Sequence, residues 1–293
     1  MGYQTLDVAL SFPNKNNLVP VKTSILITDT LLSQGNFLIH HFIVNQIKSN
    51  KHVVLVGISQ ILNHYLSIER KLGVNLTLAV QKGILSFVDG LTSLHSPANA
   101  TASTAISPPP AAVLSTSASE STLNSSNNDT TSLYMKETLQ NFYSNIKNIV
   151  VTRHSSQDSN VLLIFDDLSA LAYSGFQVKD ILEFWRACRV LVEKYDGTIL
   201  TLIHADDDII ESSNGSRVDL DQEIFVKSLI YQSEFLLSVR GLGTGFSRDV
   251  SGEITIARGP GNAEKWFRPS TLHYKILDNN VQFFAKGFSQ GVL

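Results

Sequence analysis

One cysteine, Cys188, stands in 293 residues, so no disulfide can form within the chain, and the sequence reads as that of a protein from a reducing compartment, cytosol or nucleus. Long apolar runs are scarce too. The longest, such as VLLIF at Val161 to Phe165, fall far short of the roughly 20 residues that a membrane-spanning helix needs. The opening MGYQTLDVALSFPNKN lacks the basic region followed by an apolar one that marks a secretory leader. A basic excess is also missing: 23 Lys and Arg against 26 Asp and Glu give a net charge of −3. Non-specific affinity for nucleic acid comes from cations that neutralise phosphates, so the isolated chain is expected to bind RNA or DNA weakly. The Asn-x-Ser/Thr triplets at Asn75, Asn99 and Asn214 are sugar acceptors only in a secreted protein, and here they read as chance.

Between Ser96 and Ser132 there is no Lys, no Arg, no aromatic residue and no sustained apolar period. Such a segment buries too little surface to offset its conformational entropy, which predicts a disordered loop at 96–132. The halves on either side are complementary, so residues 1–293 are expected to form one domain interrupted by that loop rather than two domains joined by a linker. Strand patterns fall at Ser24–Thr28, Val53–Gly57, Ile84–Val88, Val161–Phe165 and Thr198–His204. Helical patterns fall at Gly35–Ser49, Ser59–Leu72, Leu133–Asn148 and Val178–Lys194. This alternation, with strands apolar on both faces, predicts an α/β fold whose mostly parallel sheet is flanked by helices. Short β-type runs at Glu234–Arg240, Glu253–Arg258, Leu272–Leu277 and Val281–Lys286, with a turn signal at 277–281, predict antiparallel strands at the C-terminal end. In the helix after Gln177, residues Ile181, Trp185, Cys188, Val192 and Tyr195 recur at steps of three and four, so Cys188 is expected in the core as an inert thiol.

The segment SILITDTLLSQGNFLIHHFIVN at Ser24–Asn45 has the strand, glycine loop and helix of a nucleotide-binding element. A phosphate loop G-x-x-x-x-G-K-[ST] aligned on Gly35 would place Thr30 at the first glycine, Asn36 at the lysine and Phe37 at the hydroxyl. Three of the four chemical positions are wrong. Without lysine or hydroxyl the loop lacks the charge that stabilises a transferring phosphoryl group, so no catalytic residue is assigned to it. The strand VLLIFDD ends in Asp166-Asp167, which has the form of a Walker B strand, and it follows the loop in the order found in RecA-like ATPases. His204-Ala205-Asp206-Asp207-Asp208 reads as an acidic solvated loop, since no further His or Cys cluster completes a zinc site, and no metal is assigned. His40 and His41 point in adjacent helical directions and cannot share one ligand, which leaves packing or interface roles. The glycine-dense Gly241–Gly245 reads as a turn. Arg240, Arg248 and Arg258 beside it form the chain's local basic patch, with Arg240 and Arg248 as candidate RNA or interface contacts.

Five segments together resemble the sixth-subunit family of the Elongator complex: GNFLIHHF, HYLSIERKLGVNLT, VLLIFDDLSALAYSG, GLGTGFSRDVSGEI and YKILDNNVQFFAKGFSQGVL. The resemblance implies a RecA-like fold without Walker motifs, no cofactor, and assembly with Elongator subunits four and five into a hetero-hexameric ring containing two copies of each. It further implies that the ring binds transfer RNA and assists the catalytic subcomplex in modifying the wobble uridine, in cytosol or nucleus. On that reading the Thr30–Phe37 loop is architectural. Two other classes stay open from residues alone: an active RecA-like ATPase or kinase using Asp166 or Asp167 with an atypical phosphate loop, and a freestanding RNA-binding protein, which the acidic balance disfavours.

Overall fold

The computed structural model describes residues 3–12, 18–95, 127–154, 160–206, 217–245, 247–260 and 268–286. Its centre is a nine-stranded sheet with strands β1 (Ser24–Asp29), β2 (Val53–Gly57), β3 (Leu85–Asp89), β4 (Leu162–Asp166), β5 (Thr198–His204), β6 (Phe235–Arg240), β7 (Gly252–Arg258), β8 (Ser270–Leu277) and β9 (Asn280–Ala285). The spatial order is β3-β2-β4-β5-β1-β6-β7-β8-β9. The first six strands in that order are parallel. The last three add on antiparallel. Burial tracks this change: every residue of β1, β2 and β4 is buried, as in a sheet covered on both faces, whereas β6 and most of β7 alternate.

Two apolar cores lie on opposite faces of the sheet, and the pleat sorts residues between them. Ile25, Ile27, Leu162 and Ile164 face one core; Leu26, Leu163 and Phe165 face the other. The first core takes helices α1 (Gln4–Leu10), α2 (Asn36–Lys48), α3 (Leu62–Lys71) and α4 (Leu76–Gln81). Its central helix α2 is buried from Phe37 through Gln46, the condition of a helix apolar nearly all round. On the β3 side the chain continues through α5 (Gly90–His95). The second core takes α6 (Asn127–His154), α7 (Ser169–Tyr173), α8 (Val178–Lys194) and α9 (Arg217–Tyr231). In α8, Ile181, Trp185, Cys188 and Val192 are fully buried. Trp185 Nε1 donates to Thr201 Oγ1 of β5 at 2.8 Å, satisfying the one polar atom of that ring. Burial pushes the Cys188 thiol up, so it stays a protonated core group, as its stripe position implied.

The structure departs from the sequence expectations at several places. Helix α6 begins at Asn127, so residues 127–132 belong to it and not to the loop expected at 96–132; residues 96–126 lie outside the described residues. Their Ser, Thr and Asn content is poor in helix propensity, which hid the first turns. Helices α1, α4, α5, α7 and α9 had no strong apolar period and were not anticipated. The β-type run ending at Arg240 is parallel to β1 and antiparallel to β7, so the change of direction falls after β6. The 277–281 turn is a two-residue hairpin loop, Asp278-Asn279, as expected.

Candidate functional site

In an open parallel sheet, ligands meet the carboxyl ends of the strands, where β1, β4 and β5 lie side by side in this chain. Residue Asp29, the last of β1, is wholly buried and in register with His204, the last of β5. His204 bridges two carboxylates. Its Nδ1 bonds Asp29 Oδ1, and its Nε2 lies 3.1 Å from Asp167 Oδ2, just past the end of β4. The Asp167 and Asp29 carboxylates push the imidazole up to about 10, so at neutral pH the ring is a cation with both N–H groups donating. Tyr173 stacks beside it, centroids 6.5 Å apart and planes 26° from parallel. The turn after β4 is tight: Asp167 adopts a left-handed φ of 57°, and its Oδ1 accepts the Ser169 N–H at 3.1 Å. Ser169 Oγ in turn accepts the His204 N–H at 2.9 Å.

The loop from β1 to α2 is folded onto these same groups. Asp29 Oδ2 accepts the Gly35 N–H at 2.7 Å, Thr30 Oγ1 accepts the Ser33 N–H at 3.1 Å, and Asp206 Oδ1 accepts the Leu31 N–H at 3.2 Å. A Thr30–Ser33 backbone pair closes the turn. In a phosphate loop the backbone donors point at the ligand's oxygens. Here three of them point at oxygens of the chain itself. Gly35 is needed for this packing, because a Cβ there would sit 3.1 Å from Ile27 and 3.3 Å from the Asp29 side chain.

Each sequence-predicted position takes a place consistent with that closure. Thr30 is buried in the turn. Asn36 caps the start of α2 and carries no positive charge; its Oδ1 is buried without a partner among the described residues. Phe37 turns away from the loop into an aromatic cluster with Tyr3, Tyr274 and Phe283, its ring centroid 4.9 Å from that of Tyr274. Asp166 and Asp167, adjacent in sequence, point to different places. The buried Asp166 carboxylate accepts from Ser59 Oγ at 3.1 Å and from the Tyr65 hydroxyl, and burial holds its carboxyl above the usual range. Asp167 alone joins His204. Arg240, half-buried at the end of β6, donates to the Val239 carbonyl at 3.1 Å, and the following Gly241 lies beside Ser33. Arg248 is exposed, while its neighbour Asp249 pairs with Lys275 at 3.4 Å.

His40 and His41 serve separate buried contacts, as their helical spacing implied. His40 Nδ1 bonds Glu69 Oε1 of α3 at 2.9 Å. His41 Nδ1 accepts the Tyr3 N–H at 2.9 Å, which leaves its proton on Nε2, 3.3 Å from Asp7 Oδ1. Asn45 donates to the same Asp7 oxygen at 2.8 Å, so α1 is tied to α2 by polar bonds as well as by Leu6 and Leu10. His204 is the site residue that sequence reasoning placed elsewhere, in an acidic loop. It belongs to the strand-end cluster instead, while residues 207 and 208 lie outside the described residues. Among the described residues no group of three or more His, Cys, Asp and Glu side chains could hold a metal ion. No described helix is long and apolar enough to cross a membrane.

Comparison with known proteins places this arrangement in context. Two solved structures share the fold: an uncharacterized protein of Pyrococcus horikoshii in complex with an unknown peptide (TM-score 0.54, 14% identity, 97% of this chain and 98% of that one), and a KaiC-like protein of Pyrococcus horikoshii OT3 (TM-score 0.52, 11% identity, 94% and 97%). The α/β sheet with its parallel core and antiparallel C-terminal strands is therefore a KaiC- and RecA-like architecture. Elongator complex protein 6 of Xenopus laevis is 32% identical over 291 residues, covering 96% of this chain and all of that protein. The Homo sapiens protein is 31% identical, covering 89% and 90%. The family model described as Elongation complex protein 6 matches residues 3–278, which span both cores, the closed loop and the strand-end cluster. By that match and those full-length relatives, the chain belongs to the Elongator complex protein 6 family, and is a subunit of Elongator with a RecA-like fold.

Proposed function

We propose that this subunit works without catalysis of its own, assembling with Elongator subunits four and five into a six-membered ring with two copies of each. The ring binds transfer RNA and supports modification of the wobble uridine by the catalytic subcomplex in cytosol or nucleus. One observation carries the non-catalytic part: the backbone donors of Leu31, Ser33 and Gly35, which a nucleotide-binding loop would offer to phosphate, are taken by Asp206, Thr30 and Asp29. The cation beside them, His204, is neutralised by Asp29 and Asp167. A phosphate entering there meets carboxylates in place of lysine and magnesium, which is repulsive where phosphoryl transfer needs attraction. Assembly is supported by membership of a family named for a complex. RNA binding by an assembled surface fits a chain whose own net charge of −3 gives little attraction for phosphates.

The test is co-expression with subunits four and five, followed by native mass measurement and titration with transfer RNA. A six-chain species with two copies of each subunit, binding transfer RNA more tightly than this chain alone, is the expected result. Absence of any joint species, or equal RNA affinity for chain and assembly, would overturn the proposal.

A further inference from the structure

At the tip of the closed β1–α2 loop, Leu31 is 65% exposed and Leu32 is 97% exposed. A single exposed leucine is ordinary, but two in succession at the crown of a turn are a projecting apolar feature. The loop beneath them is held by the Thr30–Ser33 pair, by Asp206 on the Leu31 N–H and by Asp29 on the Gly35 N–H. The projection is therefore ordered before any partner arrives, and little conformational entropy remains to be lost on docking. Around it the groups are polar: Asp206, Gln34, and Arg240 behind Ser33. An apolar centre with a polar rim is the anatomy of a protein contact whose central residues carry the affinity.

We propose that Leu31 and Leu32 form a knob that seats in an apolar socket on a neighbouring Elongator subunit, with a basic residue of that neighbour facing Asp206. This rests on the ring reading above and names the part of the surface that makes one contact in it. The chemistry selects a protein partner. The stretch Asp29–Phe37 contains no Lys or Arg, and its nearest added charge is the Asp206 carboxylate, so a nucleic-acid backbone would be repelled. A second copy of this chain docking tip to tip about a twofold axis would bring two Asp206 carboxylates together, a like-charge arrangement that disfavours self-pairing.

The experiment compares wild type, Leu31→Ser/Leu32→Ser and the conservative Leu31→Met/Leu32→Met, each mixed with purified subunits four and five, with affinity measured by calorimetry and the mass of each isolated chain recorded. Both leucines are solvent-facing, so all three isolated chains should melt at the same temperature. The serine pair should bind the other subunits at least about tenfold more weakly, and the methionine pair within about threefold of wild type, as expected for a central apolar contact. Unchanged affinity of the serine pair overturns the knob while leaving the ring reading intact. A wild-type chain that fails to join subunits four and five overturns both. A wild-type chain that dimerises alone and loses the dimer on serine substitution assigns the knob to a second copy and overturns the partner proposed here.

Discussion

Replacing His204 by Gln should destabilise the protein most in acid-to-neutral solution and least in alkaline solution. The substitution removes the cation that lies between Asp29 and Asp167 while leaving a side chain of similar length. Asp29 is wholly buried, and a buried carboxylate stripped of its cation is expensive; removing one partner of such a pair costs about 3–5 kcal/mol. The titration sets a separate bound. A rise from 6.5 to about 10 corresponds to almost 5 kcal/mol, at about 1.4 kcal/mol per pH unit. The imidazole is 13% exposed, so partial screening by water brings the expected loss to about 3 kcal/mol. Between pH 6.5 and about 10 the folded wild type holds a proton that the unfolded chain has released. Its unfolding free energy therefore falls with rising pH across that window, the full contribution being present below it. The variant lacks this slope. Urea unfolding followed by circular dichroism at pH 6.5, 8 and 9.5 should show a stability gap of about 3 kcal/mol at the lowest pH that narrows to below about 1 kcal/mol at the highest. A gap under about 0.5 kcal/mol at pH 6.5, or one that stays constant with pH, would refute the assignment of a charged His204 bridging two carboxylates.

The isolated chain should hydrolyse no ATP above the buffer rate, since Asn36 and Phe37 stand where lysine and hydroxyl belong; turnover that vanishes in Asp166→Ala or Asp167→Ala would reinstate an active ATPase or kinase. Excising residues 96–126 and rejoining the ends through a short flexible linker should shift the melting temperature by no more than about 2 °C, because loop-closure entropy varies slowly with length; calorimetry showing a loss of several degrees would give that segment a packing role. Replacing Arg240 and Arg248 by Ala in an assembled ring should weaken transfer RNA binding and flatten its salt dependence by about one unit per lost phosphate contact. An intact ring with unchanged slope would remove those arginines from the RNA surface, and a ring that falls apart would assign them to a subunit seam.

Much of the fold was legible in the chain because parallel strands buried on both faces announce themselves. The runs in β1, β2, β4 and β5 are apolar without alternation, and each was located to within a residue or two. Helix α8 was equally plain from the stripe Ile181, Trp185, Cys188 and Val192. Helix α1 was not, because a seven-residue helix carries two turns of pattern and is stabilised by Asp7, Asn45 and His41, contacts across 38 residues that no local window contains. The site divided in the same way. The absence of a lysine after Gly35 was readable directly, and it pointed to a loop that does not serve phosphate. What replaces the phosphate was not readable, since Asp29, Asp167 and His204 become neighbours only through the order β4-β5-β1. A reader who had fixed that order could have found them, each lying at or just past the carboxyl end of its strand.

The closed loop also changes how this subunit answers to its surroundings. A protein that binds a nucleotide only when folded gains stability as RT ln(1 + [L]/Kd), so its folded population rises and falls with the supply of that nucleotide. Here the acceptor for Gly35 is Asp29, six residues away on the same chain, and its effective concentration is set by the backbone. It cannot be diluted, depleted or hydrolysed. The loop is thus held shut at any nucleotide level, and the surface that carries Leu31 and Leu32 keeps one shape through changes in cellular energy supply.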